Sequence, residues 1–168
     1  MVSERSPGGV LGKRVLLILS GSRVSNSCVD DALATAERES AELVALFILD
    51  TVGPRDVQER VSHEGFLGEA PSGRLLRALR RERKRQGVGE LAEIARRAEK
   101  RGIACRTDLV EGEFLTRALT AAQTEAPAMI FVAKRERAAL ARLMSGSRAE
   151  ELKEAAPCEV TIHEGGNG

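Results

Sequence analysis

The side chains able to act as nucleophiles, bases or metal ligands are few and scattered in this 168-residue chain. Its three cysteines, Cys28, Cys105 and Cys158, are odd in number and far apart, with neither a metal-ligand spacing nor a redox pair. Buried, reduced thiols are the expectation. The two histidines, His63 and His163, stand alone in the sequence, with no ligand or base partner in view, and are expected at the surface. No nucleophile–base pair and no pair of acid–base carboxylates is visible. What remains is a set of small, polar residues closing apolar runs: Ser20-Gly21-Ser22, Asp50-Thr51 and Ala133-Lys134-Arg135-Glu136. Ser147-Arg148-Ala149-Glu150 has the spacing of a capping box, which opens a helix. Such residues can hold a ligand more readily than they can transform one.

The elements that must position them follow from periodicity. Arg14-Val-Leu-Leu-Ile-Leu19 is continuously apolar, as a strand covered on both faces should be. Val29, Ala32, Leu33 and Ala36 share one helical face behind a Ser25 N-cap. Leu43–Leu49 is a second strand, and the long stretch from Asp50 to Ser72 reads as a functional or mobile loop, in which Phe66 and Leu67 tether it down. A helix is expected from Gly73 to Arg101, bent or interrupted at Gly87 and Gly89 and stopped by Gly102. Ile103–Val110 is a third strand. Gly112 then starts a helix carrying Leu115, Ala118, Leu119 and Ala122, which Pro127 ends. Ala128–Ala133 and Cys158–Ile162 are the fourth and fifth strands, with the short capped helix between them. Strands alternating with helices predict an α/β fold with a parallel sheet and helices on both faces. A ligand site then lies beyond the carboxyl ends of the strands, where strand order reverses. The expected organisation is a mobile tail over residues 1–12, one domain over 13–163 and a second mobile tail over 164–168.

Composition narrows the function further. The net charge is +1, aromatic residues make up 2%, and Trp and Tyr are absent, so the stacking platforms of single-strand binders are missing and no nucleic acid partner is expected. No apolar run is long enough to span a bilayer, and Met1–Gly12 has no signal-peptide core, so the cytoplasm is the expected compartment. Arg74–Arg85 holds seven Lys or Arg against one Glu. It reads either as an anion-binding face, for RNA, an acidic partner or a membrane surface, or as a solvated helix face with Leu75, Leu76 and Leu79 packed inward. Near-neutral overall charge favours the solvated face.

Val15-Leu-Leu-Ile-Leu-Ser-Gly-Ser22 and Ala41–Asp50 are similar to the opening of universal stress proteins. Val110-Glu-Gly112 resembles that family's strand-to-helix turn, and Leu140–Glu150 followed by Ala156-Pro-Cys-Glu-Val-Thr-Ile162 resembles its C-terminal signature. The similarity covers about residues 13–163. It implies a doubly wound five-stranded sheet of order 3-2-1-4-5 and a homodimer. It also implies a nucleotide pocket drawn from Ser20, Gly21, Ser22, Ile48, Val132, Ala133, Glu136, Gly146, Ser147 and Arg148, with ATP or AMP, together with Mg²⁺, as candidate ligands. ATP-binding members carry a glycine, a second glycine after two residues, and after nine more a third followed by Ser or Thr. Those positions fall here on Ala133, Glu136, Gly146 and Ser147, with the spacing kept. The acidic residue that such members place at the end of the first strand is Ser20 here.

Phosphates sit against backbone N–H groups at a helix N-terminus, and glycine lets the backbone approach. Gly146 and Ser147 keep that feature. A carboxylate at Glu136, held about 4 Å from a phosphate, would oppose binding by up to about 4 kcal/mol, roughly a thousandfold. Lys134, Arg135, Arg137 and Arg148 could offset it. A pocket with weak or lost ATP binding is therefore the favoured reading, in a non-catalytic stress-response or regulatory protein. Two others stay open: a slow ATPase or nucleotide switch, with Asp50, Glu136 and Ser147 around a phosphate, and an interaction module docking through the basic helix onto a protein partner. The last strand lies at a sheet edge, and pairing it with its copy through Cys158, Val160 and Ile162 would form the dimer.

Overall fold

The computed structural model describes residues 12–21, 25–50, 73–134 and 148–164. Its elements, in chain order, are β1 (Arg14–Leu19), α1 (Asn26–Arg38), β2 (Glu42–Asp50), α2 (Gly73–Lys100), β3 (Cys105–Gly112), α3 (Phe114–Glu125), β4 (Met129–Lys134), α4 (Arg148–Ala155) and β5 (Glu159–Glu164). All strand pairs are parallel, in the order β3-β2-β1-β4-β5. The expected fold class and strand order are both present.

The alternation of side chains along each strand divides the core into two layers. On one face Val15, Leu17, Leu19, Ala45 and Phe47 pack with Val29 and Leu33 of α1 and Leu91, Ile94 and Ala98 of α2. On the other, Leu16, Ile18, Val44, Leu46 and Ile48 pack with Phe114, Ala118 and Ala122 of α3 and Leu152 of α4. This double coverage is why β1 and β2 read as unbroken apolar runs. Each fully buried Leu or Ile contributes about 1.5–3 kcal/mol.

Local signals act largely as read. Ser25 caps α1, its Oγ accepting from the Cys28 N–H. Gly102 (φ 68°) follows α2, donating to the Glu99 carbonyl while Ile103 donates to that of Ala98, a Schellman closure that needs a left-handed residue. Two expectations are corrected. α2 runs unbroken from Gly73 to Lys100. Gly87 is there for contact rather than for a bend: a Cβ at this position would come 2.7 Å from Cδ1 of Phe47, so its absence lets α2 lie close on β2. Nothing in the structure explains Gly89, around which a Cβ would meet open space. Gly112 ends β3 rather than starting α3. The N-cap is Glu113, whose carboxylate accepts from the Leu115 and Thr116 N–H groups.

The amino edge of the sheet is stitched by a ring of ions. Arg14 of β1 donates to Glu42 of β2 at 3.1 Å and lies 3.6 Å from Glu125 at the end of α3. Arg106 of β3 forms a bidentate bond to Glu125 and reaches Glu42 at 3.6 Å. The Glu125 carboxylate holds the Arg106 guanidinium even more firmly protonated than usual.

Candidate functional site at the carboxyl edge

Strand order reverses between β1 and β4. The chain leaves β1 toward α1 on one face, and it leaves β4 toward α4 on the other. The crevice between such diverging connections is where parallel sheets take ligands. Leu19 and Ala133 are register partners at its floor, and Ser20 and Gly21 follow Leu19 directly. Gly21 has φ 99°, a conformation that a side chain would strain.

The predicted pocket residues do not share one wall. Val132 and Ile48 are buried on the α3/α4 face. Ala133 is buried on the α1/α2 face, among Leu19 and the side chains of α1. Its methyl is therefore covered by core side chains, which accommodate alanine at this glycine position. Arg148 opens α4. Ser22, Glu136, Gly146 and Ser147 lie outside the described residues, as do His63, the Phe66–Leu67 loop segment and both predicted tails apart from Gly12 and Glu164.

One pairing at this edge escaped the sequence. His163 at the end of β5 is the register partner of Ala133. Its Nε2 lies 3.1 Å from Oδ2 of Asp31 on α1, and its ring is 6.2 Å from that of Phe131. The expectation of an isolated surface histidine is corrected: the imidazole is 19% exposed and ties the last strand to the first helix. Nothing local could signal a contact between residues so far apart in the chain.

The thiols are unsuited to nucleophilic chemistry. Burial, and then the charge of Asp31, push the Cys28 thiol up to about 12. Burial, and then Glu42, push Cys105 up to about 11, and burial raises Cys158. The thiolate is the reactive form, so all three are held in the inert one. Cys28 is buried, whereas Cys105 and Cys158 are half-buried. Among the described residues no cluster of three or more His, Cys, Asp or Glu side chains is placed to hold a metal ion, and no helix is long and apolar enough to cross a membrane.

The switch-point crevice, the strand order and the small residues at the end of β1 meet one family description. The model of the universal stress protein family matches residues 12–163. The chain belongs to the universal stress protein family. Solved structures of universal stress proteins share the fold. One from Burkholderia pseudomallei is 26% identical, with a TM-score of 0.59, over 93% of this chain and 98% of its own. Another, from Arabidopsis thaliana with AMP bound, is 12% identical, with a TM-score of 0.55, over 90% and 91%. A third, from Archaeoglobus fulgidus in complex with dAMP, is 14% identical, with a TM-score of 0.55, over 90% and 96%. Among curated proteins no significant match was found. In this universal stress protein domain, strand order reverses between β1 and β4.

Proposed function

We propose that this chain is a non-catalytic stress-response or regulatory protein of the cytoplasm that binds ATP weakly or not at all. The observation that carries the reading is Ser20. It directly follows the Leu19–Ala133 register pair, at the position where the family resemblance implies an acidic residue in ATP-binding members. A hydroxyl there offers a weaker anchor than an ionised acceptor. Glu136, at the second glycine position of the phosphate motif, adds repulsion. The inert state of all three thiols supports a binding role over cysteine chemistry.

A nucleotide switch or slow ATPase is the second reading, favoured by the retained Gly146-Ser147 and by the two structural relatives that hold AMP and dAMP. Isothermal titration with ATP, ADP and AMP, with and without Mg²⁺, separates the two. The first reading expects dissociation constants of about 1 mM or weaker. Micromolar binding overturns it. Because the Ala133 methyl is turned into the core, Glu136→Gly alone should recover most of the affinity that the double variant with Ala133→Gly recovers.

Dimerisation through β5 belongs to the same proposal. β5 is an edge strand, and Val160 is already spent on the core, so pairing would use the strand backbone flanked by the half-buried Cys158 and Ile162. Sedimentation should give twice the 18.1 kDa chain mass, and a monomer at micromolar concentration rejects this interface.

A further inference from the structure

We infer that the projecting half of α2 is a docking ridge for an acidic polypeptide segment, independent of the nucleotide crevice. From Gly73 to Gln86 no residue of α2 is buried. Arg80, paired with Glu111 at the end of β3, marks where the helix clears the sheet. Leu75 and Leu79, expected to pack inward, are 50% and 45% exposed, and Leu76 is half-buried. That exposure weakens the solvated-face reading of the basic run, which relied on inward packing.

The order of the charges matters more than their number. Arg74, Arg77, Arg81, Lys84 and Val88 follow one another at alternating spacings of three and four residues, so they form a single line along the helix. That line spans about 21 Å at the rise of an α-helix. Continued at the same spacing, it becomes Leu91, Ala95 and Ala98, and Leu91 and Ala98 are buried against the sheet. The stripe that packs on the core is therefore extended, beyond the sheet, by four cations.

Arg80 is committed to Glu111 and Arg85 to Glu82. Arg74, Arg77, Arg81 and Lys84 form no ion pair among the described residues, and all four are exposed. Four like charges along one line repel each other, and a complementary row of carboxylates removes that repulsion.

The shape favours polypeptide over phosphate. On this face Ala78, Arg81, Glu82, Lys84, Arg85 and Val88, all on α2, line a shallow, open hollow. Ala78 and the half-exposed Val88 add apolar surface to it. Only 2% of the chain is aromatic, so bases would find no stacking partner. The fitting occupant is a helical segment with Asp or Glu every three or four residues and an apolar side chain that seats on Val88.

A fluorescently labelled synthetic helix of that pattern, titrated against the whole protein by anisotropy, tests this. Binding is expected at low salt and should weaken at high salt. Arg77→Glu/Arg81→Glu/Lys84→Glu should weaken it by at least about tenfold, with circular dichroism and thermal midpoint confirming the fold. The triple Gln variant serves if charge reversal unfolds the chain. Val88→Ser should weaken it by about threefold at either salt. Absence of peptide binding at low salt overturns the proposal, as does binding that the triple variants leave unchanged. Tighter binding to phosphatidylserine vesicles or to poly(U) than to the peptide overturns it in favour of a membrane or RNA surface.

Discussion

The two ends of the sheet are built on opposite principles. At the amino edge, Arg14, Glu42, Arg106 and Glu125 join three strands and the end of α3 in one ring of long, charged side chains. At the carboxyl edge, the chain closes β1 with Ser20 and Gly21, and the small Ala133 lies beside Leu19. One end is filled and satisfied internally. At the other, the described residues supply small side chains, with His163–Asp31 as a clasp between β5 and α1. The amino end is closed by its own ions, and the end that follows β1 carries the candidate site and is the proposed receptive end, so substitutions should separate the two.

The largest effect is expected at the amino edge. Glu125→Ala removes the more buried of the two carboxylates that Arg14 and Arg106 share, 13% exposed against 33% for Glu42. Because both arginines are a third or more exposed, the loss is put at about 2 kcal/mol rather than the larger value of a fully buried pair. Urea denaturation should show a lower midpoint with an unchanged slope. Ser20→Ala at the receptive end should stay within about 0.5 kcal/mol. Equal losses at both ends would break the comparison.

Alkaline pH sharpens it. Cys28 lies on α1 near the carboxyl edge, and Cys105 opens β3 at the amino edge. Both titrate higher in the folded chain, at about 12 and about 11, than the ordinary value of 9.0. Above that ordinary value the unfolded chain gives up its thiol protons first, so unfolding is increasingly favoured as pH rises. Stability is therefore full below pH 9 and falls above it, by up to about 1.4 kcal/mol per pH unit for each thiol. Cys105→Ala and Cys28→Ala should each flatten that fall in chemical denaturation curves measured across the alkaline range. The Cys105 part should run out first, near its lower value.

The smallest effect is expected at the clasp. Asp31 is more than half exposed, so Asp31→Asn should cost about 0.5 kcal/mol. Hydrogen exchange should nevertheless speed up in β5 and not in β3. A uniform change across the sheet would mean that the clasp does not act locally.

The fold was legible because its signals are local and repeated. The runs Val15–Leu19 and Leu43–Leu49, the one-sided helix Val29–Ala36 and the stop at Gly102 each carry their own physics. The misreadings came from residues whose roles depend on distant neighbours. Gly87 looked like a break because its partner, Phe47, is a strand away. Gly112 looked like a helix start because glutamate is an uncommon cap, yet Glu113 fills that role. Leu75 and Leu79 looked like core because helical spacing gives a face, not what lies against it. Of the candidate site, the strand ends that carry Ser20, Gly21 and Ala133 could be read. The burial of Val132 and Ile48 on one face and of Ala133 on the other needed coordinates.

Phe47 and Gly87 also act as a fulcrum. The arm that carries Arg74 rests on the sheet at the glycine, about 20 Å away along the helix. A tilt of 10° about that point would swing the tip of the arm by about 3 Å. A single added methyl at position 87 would therefore re-aim the whole row of cations without touching any of them.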